Sequence, residues 1–177
     1  AGLPAGDCIP NEWYGHSVGD VEVAPDGSIL FSVGDASSWE EPTEAALRAQ
    51  DLDSLAGKIV RVGPDGRGLP SNPFWNGDAD AARSKVWALG ARNAFRIALR
   101  PATGTLYAAD VGADDRDEID VVPAGANLGW PCYEGDIRTP GFSSFARCHA
   151  LYALGPAAVV APLVALPFNR ARGRARR

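Results

Sequence analysis

Apolar runs in this chain are short, and Gly or Pro closes almost every one of them. Between Lys85 and Pro131 three follow at close spacing: Phe95 to Leu99, Thr105 to Ala109 and Glu118 to Val122, with Gly104, Gly112, Pro123 and Gly125 between them. Runs this short, bounded by turn formers, predict antiparallel strands rather than helices. The same grammar appears earlier. In DVEVAPDGSILFSVGDA, Val21 and Val23 alternate, Pro25-Asp26-Gly27 turns, and Ile29, Phe31 and Val33 return. Lys58 to Val62 is another strand, followed by a Pro64-Asp65-Gly66 turn. Residues 43 to 50, TEAALRAQ, are the best helical stretch, and residues 1 to 19 read as loop.

The hairpin at 20 to 36 is echoed at 96 to 113. Both read strand, Pro-x-x-Gly turn, strand, then a Gly/Asp-rich end. Recurrence at a period longer than one hairpin points to a repeat architecture such as a β-propeller, in which loops from several blades converge at one mouth of a channel. There His16, Arg92 and Gly112 can meet although they are far apart in sequence.

Composition narrows the function classes. The 177 residues and 46% hydrophobic content suit one globular domain with a core. Net charge is -5 even though Arg170, Arg172, Arg174, Arg176 and Arg177 crowd the C-terminus, so the body is more acidic still. An acidic body makes a poor nucleic-acid binder and suits neutral ligands or metal cations. Residues 1–168 are taken as the domain and 169–177 as a basic, disordered tail. The missing Met and the N-terminal Ala suggest a processed or cut chain; no signal peptide is visible. Leu151 to Phe168 is apolar, but Gly155, Pro156, Pro162 and Pro167 interrupt it. Orphaned backbone groups are costly in lipid, so the stretch predicts a strand of a following blade, not a membrane span.

Cys132 and Cys148 flank a Gly/Pro/Ser-rich loop. Either they close a disulfide worth ~3 kcal/mol, leaving Cys8 over, or all three are buried thiols. No His/Cys spacing supports zinc. Asp78 and Asp80 suggest a calcium loop, but Ala81 and Trp87 stand where Gly and a bidentate Glu are needed, so this is a surface loop. Trp87 and Trp130 are expected to pack beside strands, and Asn127 and Gly129 to make a turn.

Three motifs recur in order: QDLDSLAGKIVRVGPDGRGLPSNPF (50 to 74), GARNAF (90 to 95) and DEIDVVPAGANLGWP (117 to 131). Together they resemble the soluble pyrroloquinoline-quinone-dependent sugar dehydrogenases, the glucose/sorbosone dehydrogenase-like family that includes the aldose sugar dehydrogenases. The resemblance covers roughly residues 15 to 135. GWPCYEG (129 to 135) resembles a secreted branch with an added cysteine pair, which implies Cys132 with Cys148 and a secreted or periplasmic protein. The implied fold is all-β, an incomplete six-bladed β-propeller with about half of its blades present.

The resemblance also implies chemistry: oxidation of the anomeric hydroxyl of an aldose, with hydride passing to the quinone and on to an external electron acceptor. His16 matches the catalytic base, a role an imidazole suits. Arg92 and Asn93 match the pair that contacts the quinone, whose carboxylates a guanidinium can bind. Gly112 and Ala113 match the pair whose carbonyls hold calcium, an ion that accepts such oxygen ligands. Glu118 matches a ligand of a second calcium, with the Leu128 carbonyl and Asp136 as companions and Asp117 orienting it. Two positions depart from the family: Ala113 stands where Pro is usual, and Val111 where Gln or His is. With Ser17-Val18 after His16, those departures favour a different reading, a non-enzymatic propeller of the same lineage that binds carbohydrate or a protein partner. A chain lacking further cofactor-binding basic residues is expected to show little or no activity alone.

Overall fold

The computed structural model describes residues 8–9, 15–38, 43–114, 116–155 and 164–167. Two four-stranded antiparallel sheets organise them. The first runs in chain order, β1 (Val18–Val23), β2 (Ile29–Val33), β3 (Lys58–Val62) and β4 (Val86–Leu89). The second is built on β5 (Ala94–Leu99), β6 (Leu106–Asp110) and β7 (Arg116–Val121). A two-residue pair, β8 (Tyr133–Glu134) and β9 (Ile137–Arg138), follows, and β10 (Val164–Pro167) returns to pair with β7. The hairpins that echo each other in sequence are β1–β2 and β5–β6, one in each sheet.

The predicted strands are present, and TEAALRAQ forms a 3₁₀ helix over Glu44–Gln50. One reading changes. The stretch from Leu151 is not a strand of a following blade. It begins inside the helix α2 (Ala146–Leu154; the single turn α1 is Ala82–Lys85), and its far end, β10, completes the second sheet. Without β10 the outer edge of β7 would present an open row of backbone donors and acceptors. Among the described residues the four-stranded sheets number two, and they do not by themselves close a propeller. The tail at 169–177 and most of the N-terminal loop lie outside the described residues.

The sheets pack face to face. Leu30, Ile59 and Ala88 of the first meet Ala94, Ile97, Leu106 and Ala108 of the second, with Val122, Ala126 and Leu128 closing the layer. At the inner edge β1 runs against β5. Gly19 permits that approach, because a Cβ there would meet the Ala94 carbonyl and the Ser32 hydroxyl. Asp20 stitches the joint, accepting from the Ile97 N–H at 3.3 Å while its own N–H donates to Ser32 Oγ at 3.0 Å.

A second apolar cluster gathers Ala46, Ala49, Trp130, Cys132, Tyr133, Phe142 and Cys148, and the Cys132–Cys148 disulfide lies inside it. Cys8 is free and exposed. Lys58 joins the 3₁₀ helix to β3. Its fully buried ammonium donates to the carbonyls of Arg48, Ala49 and Ala56 at 2.8, 2.9 and 2.7 Å. Burial pushes its pKa down to about 7, and the carbonyls are what make a charge tolerable there. Lys58→Met strands those acceptors. Chemical denaturation should read a loss of about 2 kcal/mol.

Candidate functional site

Antiparallel order brings the start of β1, the end of β2, the start of β3 and the end of β4 to one end of the first sheet: Val18 pairs with Val33, Val33 with Lys58, and Lys58 with Leu89. The start of β5 and the end of β6 meet likewise at Ala94 and Asp110. The connections at these ends carry His16, Asp35, Arg92, Gly112 and Trp130, and hydrogen bonds knit them together.

His16 is buried, and its backbone takes a φ of 56°. Ala36, opposite it, has a φ of 53°. Positive φ at two non-glycine residues is local strain, the kind that accumulates where geometry serves a site. The strain has a return. The Ala36 N–H reaches the His16 carbonyl at 3.2 Å, and Nδ1 of His16 sits 2.7 Å from Oδ1 of Asp35. Asp35 is wholly buried and saturated with donors. Ser37 gives it its N–H at 3.1 Å and its hydroxyl at 2.6 Å, and Trp130 gives its indole N–H at 2.6 Å. Since all these groups donate to Asp35, Nδ1 of His16 must carry its proton, which leaves the basic lone pair on Nε2.

Arg92 follows β4. Its guanidinium lies over the Trp130 ring at 5.2 Å, and Nη1 donates to the carbonyls of Val111 and Gly112 at 3.0 and 2.8 Å. Burial pushes its pKa down, while Asp35, Asp110 and Glu134 draw it back up. Nε is buried without a partner. Asp110 receives the backbone N–H groups of Arg92 and Asn93, at 2.9 and 2.6 Å. Asn93 therefore enters the site through its backbone.

The loop after β6 is set by Glu134. One carboxylate oxygen accepts from the N–H groups of Ala113 and Arg116, at 2.6 and 3.0 Å. Gly112 must be glycine here, because a Cβ would run into the Arg116 carbonyl and the Glu134 carboxylate. Asp117 takes the Gly112 N–H at 3.0 Å, so it braces this loop. Glu118 is buried on β7. It lines a cavity of roughly 10 Å³, room for one water or small ion, with Arg92, Asp110, Gly112, Leu128, Tyr133 and Glu134 among its walls. Three carboxylates and one guanidinium face that space, a surplus of negative charge. Burial, then Asp120 and Asp110, push Glu118 up to about 9. Burial pushes Asp120 to about 7 and Asp110 to about 6. Both oxygens of Asp120 lack partners. Asp136 is exposed and outside the cavity wall.

Two of the groups implied by resemblance can be tested against these residues. An anion fits Arg92, whose orphaned Nε–H is a buried donor awaiting an acceptor. A cation fits the acid surplus at Glu118. At Gly112 the fit is poorer, since Arg92 already occupies its carbonyl and a dication beside a guanidinium is repelled. Among the described residues no group of three or more His, Cys, Asp or Glu side chains is arranged to hold a metal.

Asp35, Trp130 and Glu134 are the site members that sequence reasoning missed. Gly34-Asp35 repeats the Gly/Asp ending of the echoed hairpin, and that was the available signal.

A family model described as "Glucose / Sorbosone dehydrogenase" matches residues 9–143. The aldose sugar dehydrogenase YliI of Escherichia coli (strain K12) is 37% identical over 116 residues, covering 66% of this chain and 29% of that protein. Quinoprotein glucose dehydrogenase B of Acinetobacter calcoaceticus is 29% identical over 140 residues, covering 72% of this chain and 28% of its own. A PQQ-bound aldose sugar dehydrogenase from Streptomyces coelicolor superposes with a TM-score of 0.60 at 27% identity, over 86% of this chain and 36% of that one. The chain thus spans well under half the length of these relatives.

Proposed function

Because the chain belongs to the glucose/sorbosone dehydrogenase family, we propose that it carries part of the active site of a quinoprotein that oxidises the anomeric hydroxyl of aldose sugars. The observation that carries this reading is the His16–Asp35 pair at 2.7 Å, joined through Trp130 to the buried Arg92. An imidazole with Nδ1 tied to a buried carboxylate is a general base at Nε2. His16 takes the hydroxyl proton, and Asp35 stabilises the imidazolium that results. Pyrroloquinoline quinone, when bound, supplies the two-electron acceptor for the hydride leaving the same carbon. Arg92 holds the carboxylates of that group through its orphaned Nε–H, and the Asn93 backbone fixes the turn that presents it. Glu118, with the Leu128 carbonyl, holds calcium in the acidic cavity, and the Gly112 and Ala113 carbonyls serve a second ion only where Arg92 turns away.

The whole fold in this reading is a six-bladed propeller to which these sheets contribute, working in an oxidising compartment that keeps the Cys132–Cys148 disulfide closed. An external acceptor removes the electrons. Among the described residues no helix is long and apolar enough to cross a membrane.

The engagement of Arg92 with the Val111 and Gly112 carbonyls favours a second reading, a propeller of this lineage that binds carbohydrate without redox chemistry. Reconstitution separates the two. Calcium and pyrroloquinoline quinone are added to the protein in its complete reading frame, and dye reduction is followed with aldoses. Quinone uptake with sugar-dependent reduction supports the dehydrogenase; sugar binding with no quinone uptake supports the alternative. In the same setting Arg92→Gln should weaken quinone binding tenfold or more, about the loss of one charge-assisted bond.

A further inference from the structure

Trp130 touches both halves of the site. Its Nε1–H donates to Asp35 Oδ2 at 2.6 Å, and its ring lies under the Arg92 guanidinium, 5.2 Å from centroid to Cζ. Its backbone is tied on two sides: the N–H donates to the Gly90 carbonyl at 2.9 Å, and its carbonyl accepts from Gln50 Nε2 at 2.7 Å. Gln50 is itself held by a reciprocal amide pair with Asn127, at 2.8 Å each way. Behind the ring stands Phe142, edge-on at 5.3 Å and backed by Phe145. The segment carrying these rings is closed by the Cys132–Cys148 disulfide. The indole therefore has little freedom to turn.

We infer that Trp130 is a positioning residue that sets the Asp35 carboxylate, and through it His16, in fixed relation to the Arg92 guanidinium, with the disulfide-closed segment 132–148 as its mount. A carboxylate held only by the flexible Ser37 hydroxyl and one backbone N–H could rotate about its terminal torsion, which is broad. The indole donor fixes that plane, and the plane fixes which imidazole nitrogen carries the proton. The same ring face offers the guanidinium a cation–π seat, so the base and the cofactor-side cation share one support. This role deepens the dehydrogenase reading and rests on it for its catalytic meaning.

The test uses the two contacts separately and needs neither quinone nor sugar. The chain has two histidines, so imidazole ¹⁵N spectra contain two rings, and His149→Gln assigns them. Arg92 guanidinium protons, assigned with Arg92→Lys, report the indole face through ring-current shifts. Trp130→Phe keeps a ring face and deletes the N–H. It should raise the Nε2–H tautomer of His16 about fivefold over wild type, the worth of one ordinary hydrogen bond, while the Arg92 protons stay upfield. Trp130→Leu should lose both signatures. Ser37→Ala, which removes the other Oδ2 donor and leaves the aromatic cluster intact, should move His16 alone and covers the case in which a Trp130 variant fails to fold.

An unchanged His16 ratio in both Trp130→Phe and Ser37→Ala overturns the proposal. So does a Trp130→Phe protein whose Arg92 signals move as far as in Trp130→Leu, because a merely structural role shifts the two together. Failure of quinone uptake in the reconstitution ends the enzyme reading and leaves these two signatures to be judged on their own.

Discussion

Asp35→Ala should unfold this protein more readily than any other single change at the site, losing about 4 kcal/mol in chemical denaturation. The cause is arithmetic on donors. Asp35 is wholly buried and receives the Ser37 N–H, the Ser37 hydroxyl, the Trp130 indole N–H and His16 Nδ1. Alanine leaves all four without that acceptor, and one water in the space left behind could accept from only two of them. The Ser37 hydroxyl can rotate to another partner, which is why the loss is not larger. Asp35→Asn keeps the shape but offers one oxygen in place of two, and should lose about 2 kcal/mol. Under the dehydrogenase reading both variants cut kcat by at least about a hundredfold, since the His16 proton acceptor loses its orientation, while KM for the sugar changes little. A kcat that survives Asp35→Asn in a folded protein would remove His16 from the role of base.

What the sequence disclosed follows the range of the interactions involved. Strands β1, β2, β3 and β5 to β7 were legible because apolar residues between Gly and Pro turns are local signals. Strand β4 was not, because Val-Trp-Ala-Leu is apolar throughout and shows no alternation, although the fold buries only every second residue of it. The helix over Ala146–Leu154 hides in an apolar stretch with no clear period, and the pairing of β10 with β7 is not legible because partners 45 to 51 residues apart leave no local trace. The site divides the same way. His16, Arg92, Gly112 and Glu118 stood out through resemblance to family motifs. Asp35 and Trp130 meet across 95 residues of sequence, and only the folded chain brings their hydrogen bond into being. The bond from the Ala113 N–H to Glu134 spans 21 residues and is non-local in the same way, whereas that from Gly112 to Asp117 spans five and lies within one loop.

The acidic cavity yields the other large effect. Glu118, Asp120 and Asp110 have folded-state pKa values of about 9, 7 and 6, all above their unfolded values near 4. Between roughly pH 4 and pH 9 these three groups therefore bind more protons in the folded protein than in the unfolded chain, while Lys58, pushed down to about 7, works the other way above pH 7. Stability should fall as pH rises from 4 to 7, and from 7 to 9 the losses at Glu118 and the gains at Lys58 oppose each other. Burial is the main cause for each. The repulsion among the three is shared and counts once, so the fall is smaller than the three shifts summed singly. That decline is also a measure of what a cation can restore. Calcium at about a hundred times its dissociation constant adds ~2.7 kcal/mol to the folded state, and it should act most where Glu118 has lost its proton, above about pH 9. Magnesium, which gives up its water reluctantly, should do much less in a cavity this small. Glu118→Gln removes the largest of the three titrations and a ligand together. Without the Glu118 titration the depressed Lys58 is left unopposed, so denaturation of that variant should show stability rising from pH 7 to 9, and calcium should no longer shift it. A metal-free pH dependence from 7 to 9 that is the same in wild type and Glu118→Gln, or a calcium response undiminished in that variant, would mean that the cavity carboxylates are satisfied by protein contacts alone and that no ion belongs there.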